Sequence, residues 1–559
     1  MKKYRGIAVS EGYALGPVRE WLPNLPEAGT FTHTQSPEKD RPREWARFLQ
    51  ARVGACSHMT ELYQQALARV GEHYAGIFKI QLALLQDEEL LLRVRRKIME
   101  EGLSAEVAMQ AVGEEYGNLF DAMDDEYMRA RGADIRDVQR QVLQQLAGDT
   151  PLGDGAALPS EEDWPAPYLL AADDILPSQT LALDPGQVLG LILRQGSQMS
   201  HAAILARSLG IPAVTGVRDF PRGGGFFAIL NGFSGELLRD PGEEEKWEYT
   251  RMRQEFEARR QALKTYSGVQ TITMDGTPVE LMANIGHPDD MTSVRDCGAD
   301  GIGLFRSEYL FMYCEQMPSE EEQAAAYSAV LQQMQGKKVI IRLLDVGADK
   351  QIPYVKMDRE ENPVMGRRGI RFCLEHRDIL MTQLRALLRA APLGQLGILI
   401  PMVVSVEEVR TVRRLLRQAA CTLEEEGMAH STQYEIGVMI ETPASVMMGD
   451  ELAQEVDFFS IGTNDLTQFV MAADRGNPKV GALCSANQEP VRRMLRMAVD
   501  SARRAGIWAD VCGEAAADPQ MTEFLLSIGV RTLSVAPASL LSMRQTIRQQ
   551  DLTKKSGES

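Results

Sequence analysis

The chain has 559 residues, 44% of them apolar, and a formal net charge of −18. This length predicts two to four domains with substantial cores, and the acidic balance disfavours nucleic acids and anionic membrane surfaces as partners. No apolar run approaches the roughly 18 residues that a membrane span needs, and the N-terminus lacks the apolar segment of a signal peptide. The seven cysteines contain no C-x-x-C pair, which argues against a disulfide framework or a structural zinc site. We therefore expect a cytoplasmic protein without membrane insertion.

The first part of the chain alternates between strand-like and helical patterns. Residues 4–10 predict a strand, and the pattern from about residue 37 to residue 146 is helical throughout. Strand patterns then return in three segments, Tyr168–Ala172, Val188–Leu193 and Gly225–Leu230. We expect one α/β domain, formed by residues 1–30 and 147–240 and interrupted by an all-α insertion at residues 31–146.

The remaining sequence predicts a linker and a barrel. Residues 241–268 are charged and helical and indicate a linker helix, although a solvated surface helix is an equally good interpretation. Eight apolar, strand-like runs follow, separated by helical stretches: Val279–Ile285, Gly301–Phe305, Val339–Ile341, Ile398–Ile400, Ile436–Ile440, Phe458–Ile461, Trp508–Val511 and Thr532–Val535. Eight β/α units of this length predict a (β/α)8 TIM barrel over residues 269–559, with the reacting groups at the C-terminal ends of the strands.

His201 follows a short polar turn and precedes a predicted helix, Ala202–Leu209. Free backbone N–H groups and the positive end of the helix dipole favour an anion there, so the imidazole could act as a nucleophile toward a phosphoryl group. Taken alone, a histidine at a helix start is more often a capping or packing residue. The run Ser200–Arg207, followed by Gly210–Val214, resembles the swivelling phosphohistidine domain of phosphoenolpyruvate-utilising enzymes.

Polar residues follow most of the predicted barrel strands. They are Arg306, Arg342 with Asp345, Pro401 and Met402, Glu441, Asn464 with Asp465, and Cys512. Singly, an arginine is usually part of a surface ion pair, and a cysteine is usually buried and inert. Because six strands would bring these residues to one face, we expect them to share a site.

The residue types at this face predict specific roles. Glu441 and Asp465 end neighbouring strands, and two carboxylates suit a Mg²⁺ ion that keeps waters and binds substrate oxygens. Three arginines offer planar donors for a small anion carrying phosphate and carboxylate groups: Arg306, Arg342 and Arg475. Cys512 could act as a general acid toward carbon, since a thiol is mostly protonated near neutral pH.

Six motifs resemble enzyme I of the bacterial phosphotransferase system. They are Gly301–Met312, Arg342–Lys350, Gly437–Ala444, Asp457–Gln468, Asp474–Asn477 and Cys512–Glu514. The resemblance runs from Gly6 to about Arg548. The helical insertion is similar to the domain of this family that docks the phosphocarrier HPr, in Leu85–Leu90 and Asp124–Arg131.

This resemblance implies a reaction. Phosphoenolpyruvate would bind with Mg²⁺ in the barrel, His201 would attack its phosphorus, and the phosphohistidine would pass the group to HPr as the first step of sugar uptake. Four matching residues would bind phosphoenolpyruvate: Arg306, Arg342, Asn464 and Arg475. Glu441 and Asp465 would hold Mg²⁺, and Cys512 would protonate the departing enolate to give pyruvate. Thr180 matches a threonine that hydrogen-bonds the histidine, and the family also implies a homodimer formed through the barrel.

The chain departs from the family pattern at several positions. The usual Gly-Gly-Arg-Thr-Ser-His reads Gly-Ser-Gln-Met-Ser-His at residues 196–201, so the cation ahead of His201 is absent. One glycine of the motif after Arg342 is Ala348, and the motif after Cys512 continues as Gly-Glu-Ala-Ala-Ala-Asp. These departures concern the rate and the choice of carrier more than the reaction itself.

Two other interpretations compete with this one. A relative of pyruvate phosphate dikinase or phosphoenolpyruvate synthase would share the phosphohistidine and barrel domains, but it would also need an ATP-binding domain, and no G-x-x-x-x-G-K-[ST] run occurs. A non-catalytic, protein-binding regulator could have kept the fold and lost the chemistry. The intact set of histidine, cysteine, arginines and carboxylates argues against it. A pyruvate-release assay with and without HPr separates the three.

Overall fold

A computed structural model of the chain describes residues 1–21, 37–70, 72–121, 126–147, 167–181, 183–184, 186–196, 200–312, 316–347, 352, 354–355, 357, 360–475, 477 and 479–553. Within helices, residues 68–70, 72–74, 121, 126–131, 201 and 208 are described by their backbone alone. Parts of three segments named above therefore lie outside the described residues or side chains: residues 124–131, 197–199 and 348–350. The chain divides into two compact units, Met1–Arg259 and Arg260–Ser559.

The first unit contains an eight-stranded sheet among its described residues. Its strands are β1 (Lys2–Arg5), β2 (Ile7–Ser10), β3 (Tyr13–Glu20), β4 (Tyr168–Ala172), β5 (Val188–Leu193), β6 (Ala213–Thr215), β7 (Phe227–Asn231) and β8 (Glu236–Arg239). They lie in the order β1-β8-β7-β3-β4-β5-β6-β2. The four central strands β3 to β6 are parallel, and antiparallel strands complete both edges.

Five α-helices lie between β3 and β4 in the described chain, which confirms the helical insertion. They are α1 (Arg41–Val70), α2 (Glu72–Gln86), α3 (Glu88–Met99), α4 (Ala105–Asp121) and α5 (Glu126–Ala147). Local sequence fixes their ends. Asp87 caps α3 by accepting a hydrogen bond from the backbone N–H of Leu90 at 2.8 Å, and Gly102 follows the helix with φ of +75°.

Two helices after β4 belong to the α/β layer, and a third follows β8. They are α6 (Pro177–Thr180), α7 (His201–Leu209) and α8 (Glu243–Lys264). The side chain of Ser200 caps α7 by accepting from the N–H of Ala203 at 3.4 Å, so His201 is the first residue of that helix. The division between the two compact units falls within α8.

The second unit is a closed barrel of eight parallel strands. They are β9 (Glu280–Ile285), β10 (Ile302–Arg306), β11 (Lys338–Arg342), β12 (Gln395–Ile400), β13 (Glu435–Ile440), β14 (Phe458–Ile461), β15 (Trp508–Val511) and β16 (Thr532–Val535). Each strand pairs with the next along the chain, and β16 pairs with β9 to close the barrel. The predicted TIM barrel is confirmed, with strand bounds within three residues of those expected.

Helices follow the barrel strands in the described chain. They are α9 (Met291–Cys297), α10 (Glu308–Met312), α11 (Glu320–Gln333), α12 (Ile370–Glu375), α13 (Arg377–Ala390), α14 (Val406–Glu425), α15 (Pro443–Met447), α16 (Gly449–Ala453), α17 (Thr463–Met471), α18 (Glu489–Ala505), α19 (Pro519–Ser527) and α20 (Pro537–Arg548). Helix α14 shows why such segments form: Val409, Val412 and Leu416 recur at helical spacing and are fully buried. None of the described helices is long and apolar enough to cross a membrane.

The barrel interior is filled by side chains that point inward from alternating strand positions. One buried cluster inside the barrel contains Leu304, Ile340, Leu399, Met439, Phe458 and Cys512. A larger cluster joins the outer faces of the strands to the surrounding helices. This apolar part of the interior is therefore a packed core.

Candidate active site

Arg342, the last residue of β11, is buried between two carboxylates. Its Nη2 atom lies 2.5 Å from Oε1 of Glu308, and its Nη1 atom lies 3.2 Å from Oδ2 of Asp345. Its Nε atom is buried and has no hydrogen-bond partner among the described residues. A buried guanidinium with one unsatisfied donor at a strand end can accept a further anionic ligand.

Arg368 links Asp345 to Asp465. Its guanidinium makes two contacts of 3.1 Å with the Asp345 carboxylate and two contacts of 3.1 and 3.3 Å with the Asp465 carboxylate. All three side chains are largely or wholly buried. Arg368 comes from the segment between β11 and α12, and it fixes the orientation of a carboxylate that follows β14.

Glu441 follows β13 and is held by the backbone that follows β12. Its Oε1 atom accepts a hydrogen bond of 2.6 Å from the N–H of Met402. Met402 has φ of +56°, a left-handed conformation that non-glycine residues rarely adopt. The strained backbone directs this N–H toward the carboxyl group, so the residue after β12 positions Glu441 through its main chain.

Glu441 lies in a strongly acidic environment. Burial and the negative charges of Asp465 and Asp345 together raise its pKa to about 8, against the opposing effect of Arg342 and Arg368. Three carboxyl groups thus repel one another in a dry site. A cation or a proton would relieve this repulsion.

Arg306 and Arg475 differ from Arg342 in their surroundings. Arg306 ends β10, lies beside Arg342 in the strand register, and is half-buried. Its side chain has no hydrogen bond or ion pair with another described residue. Arg475 is exposed in the loop after α17, where its backbone N–H donates to Oε1 of Gln468 at 3.2 Å. The structure shows no contact between Arg475 and the buried carboxylates.

Asn464 ties the residues after β14 to those after β15. Its Nδ2 atom donates to Oε1 of Glu514 at 3.1 Å, and its Oδ1 atom accepts from the N–H of Glu514 at 2.9 Å. Thr463 also accepts from the N–H of Ala515 at 3.4 Å. These bonds fix the turn that contains Cys512 next to the acidic cluster.

Cys512 is 3% exposed and lies at the top of the barrel interior. The hydroxyl of Ser460 donates to its Sγ atom at 3.1 Å, and Nδ2 of Asn284 donates to its carbonyl oxygen at 3.0 Å. Burial, together with the nearby charges of Asp510 and Glu441, raises the pKa of the thiol well above its usual range. The group is therefore a neutral thiol at physiological pH, as a general acid must be.

The first unit contains the two remaining predicted residues. His201 begins α7, where its backbone is described and its side chain is not. Thr180 ends α6, is fully buried, and its hydroxyl donates to the carbonyl of Pro177 at 2.6 Å. Helices α6 and α7 are in contact. Thr180 and His201 thus belong to neighbouring elements of the same α/β layer.

Sequence reasoning missed two participants in the barrel cluster. Arg368 lies in Gly366-Arg-Arg-Gly369, away from any strand end, and this short run was the one available signal. Glu308 lies within the motif Gly301–Met312, but its residue type alone does not show that it is 2% exposed and paired with Arg342. Both residues contact other side chains of the site. A search for polar residues at strand ends does not find residues of this kind.

The donor set at this site suits a metal ion that needs few protein ligands. Within the described part of the chain, no group of three or more histidine, cysteine, aspartate and glutamate residues could hold a metal ion. Glu441 and Asp465 offer two carboxylates, and each carboxylate oxygen keeps a lone pair beyond its present hydrogen bond. Mg²⁺ is commonly bound by one or two carboxylates together with water and substrate phosphates, so these residues fit it.

Family comparisons cover nearly the whole chain. Residues 5–131 match the N-terminal region of PEP-utilising enzymes, residues 164–278 match their mobile domain, and residues 260–552 match their PEP-binding domain. The abbreviation PEP denotes phosphoenolpyruvate. The acidic cluster, Arg342 and Cys512 all lie within the last of these matches.

Individual relatives agree with this assignment. The chain is 39% identical over 550 residues to the phosphoenolpyruvate-protein phosphotransferase of Bacillus sp. (strain S), covering 98% of this chain and 93% of that protein. It is 36% identical over 561 residues to the protein of the same name from Bacillus subtilis (strain 168), covering 100% and 96%. An NMR solution structure of an Enzyme I protein covers 45% of this chain and 99% of its own, at 28% identity and a TM-score of 0.36, which is too low to bear on the fold. The chain belongs to the phosphoenolpyruvate-protein phosphotransferase family of PEP-utilising enzymes.

Proposed function

We propose that this chain transfers the phosphoryl group of phosphoenolpyruvate to His201 and then to the phosphocarrier HPr, releasing pyruvate. The observation that carries the proposal is the buried cluster at the barrel strand ends, in which Arg342 and Arg368 alternate with carboxylates beside the neutral thiol of Cys512. This arrangement can bind a small polyanion and deliver a proton to carbon at the same place.

Substrate binding falls to the arginines and to Asn464. Arg342 has a buried Nε–H without a partner among the described residues, and the neighbouring Arg306 side chain makes no contact that would have to be broken. Arg475 is exposed and could close over a ligand from the loop after α17. Planar guanidinium groups match both the phosphate and the carboxylate of phosphoenolpyruvate, and they stabilise the charge that develops during phosphoryl transfer.

Glu441 and Asp465 would hold Mg²⁺. The mutual repulsion that raises the pKa of Glu441 supports this role, because a divalent cation would remove it. When bound, the ion neutralises phosphate charge and orients the transferred group. Arg368 and the N–H of Met402 hold the two carboxylates in place before any ligand arrives.

Cys512 would protonate the enolate that remains after the phosphoryl group leaves. Its raised pKa keeps the proton on sulfur until a strongly basic carbon is formed. Asn284 and the Asn464–Glu514 pair fix the turn on either side of the thiol. The thiol therefore needs no large movement to act on a substrate held by the neighbouring arginines.

His201 would receive the phosphoryl group at the start of α7. The first N–H groups of a helix point toward such a site and favour an anion, so they would stabilise the phosphohistidine. Thr180 would orient the imidazole, a role supported by the contact between α6 and α7. We infer further that residues 31–146 dock HPr, that residues 241–268 link the two catalytic domains, and that the enzyme acts as a cytoplasmic homodimer in sugar uptake.

One experiment tests the central step. The full chain is mixed with phosphoenolpyruvate labelled at phosphorus and with Mg²⁺, with or without HPr, and the phosphorylated residue is mapped by mass spectrometry while pyruvate is measured. We expect phosphate on His201 alone, sustained pyruvate release only with HPr, and no labelling of His201→Ala. The matched control is His430→Ala, a histidine in a barrel loop. Phosphate on another residue, or full labelling of His201→Ala, would show the proposal to be wrong.

A further inference from the structure

Asp510 is a fully buried carboxyl group inside the barrel, two residues before Cys512. Residues two apart on a strand point to the same side, so both side chains face the barrel interior. No described residue forms an ion pair with Asp510. A buried acid without a counter-ion is costly, and it is frequently retained because its proton is used.

Two serines on the flanking strands contact this pair. Ser534, on β16, donates its hydroxyl hydrogen to Oδ2 of Asp510 at 2.7 Å. Ser460, on β14, is paired with Asp510 in the strand register and donates to Sγ of Cys512 at 3.1 Å. Oδ1 of Asp510 is buried and has no hydrogen-bond partner among the described residues. Ser460 thus bonds to the thiol and is the neighbour of Asp510 on the adjacent strand, where the unpartnered Oδ1 atom could carry a proton toward it.

The number of hydrogens on Ser460 determines which of its hydrogen bonds it donates and which it accepts. A serine hydroxyl has one hydrogen and two lone pairs. When Ser460 gives its hydrogen to the sulfur of Cys512, its oxygen can accept one from a protonated Asp510. The S–H hydrogen of Cys512 then points away from Ser460, and the structure directs it to the carbonyl oxygen of Ile461 at 3.6 Å.

Burial favours the protonated form of Asp510. Burial raises the pKa of Asp510 to about 7, a value that already includes the opposing effects of the hydroxyls of Ser534 and Ser460 and of the charge of Lys338. Lys338 itself is paired with Glu435 at 2.8 Å and stacks on Trp508. The negative charge of Glu441 raises the pKa of the Cys512 thiol, and the positive charge of Arg342 lowers it.

We propose that Asp510 is a positioning residue that acts through Ser460 to keep the Cys512 thiol protonated and to replace the proton that the thiol gives to the enolate. This inference rests on the proposed function, because it assumes that Cys512 protonates carbon.

Each bond in this step is accounted for. A C–H bond forms at the enolate carbon as the S–H bond of Cys512 breaks. The hydroxyl hydrogen of Ser460 moves to sulfur, and the carboxyl hydrogen of Asp510 moves to the oxygen of Ser460. Cys512 and Ser460 end unchanged, and Asp510 ends as a carboxylate that still accepts from Ser534. Asp510 takes a proton from water before the next turnover.

The relay removes a specific difficulty. A thiolate in this dry site is unfavourable, as the raised pKa of Cys512 shows. If the thiol acted alone, it would have to carry that charge after each transfer. When Asp510 supplies the proton, the negative charge forms on its carboxyl group. A carboxyl group loses a proton far more readily than a thiol does.

The test compares two half-reactions in the full chain. We expect Asp510→Asn, which keeps a hydrogen-bond donor and has no acidic proton, to slow pyruvate formation by about tenfold or more. Exchange of phosphate between phosphorylated HPr and His201 forms no C–H bond and should keep its rate. Ser460→Ala should give the same pattern, and it decides the question if Asp510→Asn does not fold.

The pH profile separates a relay from a purely structural role. Protonated Asp510 is the active form, so the rate of pyruvate formation should fall as the pH rises through about 7, and this fall should be absent in Asp510→Asn. Ser534→Ala removes a hydrogen bond that lowers the pKa of Asp510. In this variant the rate of pyruvate formation should still fall as the pH rises, but at a higher pH than in the wild-type chain.

The outcomes distinguish this inference from the function on which it rests. If the wild-type chain forms no pyruvate from phosphoenolpyruvate, the proposed function fails. If the wild-type chain is active and both Asp510→Asn and Ser460→Ala keep its rate and pH profile, the function stands and the relay is wrong. Equal losses in both half-reactions would also overturn the relay, since they indicate general damage to the barrel.

Discussion

Arg368 donates to both carboxylate oxygens of Asp465, from Nη1 to Oδ1 at 3.3 Å and from Nη2 to Oδ2 at 3.1 Å. The same guanidinium binds Asp345, which also pairs with Arg342. The orientation of a proposed metal ligand after β14 is therefore set by a residue that follows β11. A substitution at 368 should disturb metal binding, substrate binding and the stability of the barrel together.

We predict that Arg368→Gln destabilises the barrel by about 3 kcal/mol, because it leaves buried carboxylates without their counter-ion. It should also lower kcat/KM for phosphoenolpyruvate, since Asp465 loses its fixed orientation. Chemical denaturation and steady-state assays measure the two effects.

The neighbouring Arg367 provides the matched control. It is exposed and forms an ion pair of 3.4 Å with Glu375 at the surface, where such pairs contribute little. Arg367→Gln should change both quantities only slightly. If the two variants behaved alike, the buried bridge at 368 would not have the importance that its geometry indicates.

Cys512→Ala should separate the steps of the reaction. We expect pyruvate formation to fall by about a hundredfold or more, because a positioned general acid contributes on that scale. Phosphate exchange between HPr and His201 should continue, since it involves no protonation of carbon. Cys484→Ala is a control in the same unit, because Cys484 is only partly buried and bonds to the carbonyl of Ala473. Parallel losses in both steps would assign Cys512 a packing role.

Thr180→Val should slow phosphoryl transfer to His201 while leaving the barrel intact. The two side chains have the same shape, but valine lacks the hydroxyl that Thr180 uses inside the α6 turn. Phosphoenolpyruvate binding, measured by calorimetry, should be unchanged because Thr180 belongs to the other unit. Thr180→Ser should restore transfer. A slow Thr180→Ser variant would point to the methyl group rather than the hydroxyl.

The barrel strands were predictable because each is a short apolar run bounded by turns, and inward packing requires that pattern. Arg342, Glu441, Asp465 and Cys512 could be selected for the same reason, since strand ends converge. Arg368 could not, because its place depends on how the segment after β11 folds back over the barrel. The main-chain contact from Met402 to Glu441 could not be predicted either, since a methionine in the sequence gives no sign that its backbone is left-handed.

Asp510 shows a different limit of sequence reasoning. It lies within a predicted strand, where an aspartate reads as a solvent-facing residue, yet it is fully buried. Its burial depends on the hydroxyls of Ser460 and Ser534, which come from the two neighbouring strands. The strand register pairs Asp510 with Ser460 and with Thr532, two residues before Ser534, so only the closed barrel brings the three residues together.

The buried acid should make the stability of the barrel depend on pH. Burial raises the pKa of Asp510 from 3.8 to about 7, so its contribution to folding stability is fully present below about pH 4 and is lost as the pH rises through 7. A shift of this size corresponds to at most about 4 kcal/mol. We therefore expect the unfolding temperature of the barrel to fall more steeply between pH 4 and pH 8 in the wild-type chain than in Asp510→Asn. Superimposable pH dependences in calorimetry would mean that Asp510 is charged or solvated in the folded state.

Ser534 also has a close neighbour on β10, which is separated from β16 by β9 alone. A Cβ atom at Gly303, on β10, would lie 1.7 Å from the Oγ atom of Ser534, so any other residue at 303 would push this hydroxyl away from Asp510. The same Cβ atom would lie 2.6 Å from Cβ of Ser534 and 3.1 Å from Cβ of Met282, so position 303 requires glycine whether or not the carboxyl group is kept. A side chain at 303 would thus displace a strand two positions away in the barrel and, through Ser534, change the acidity of Asp510 without touching it.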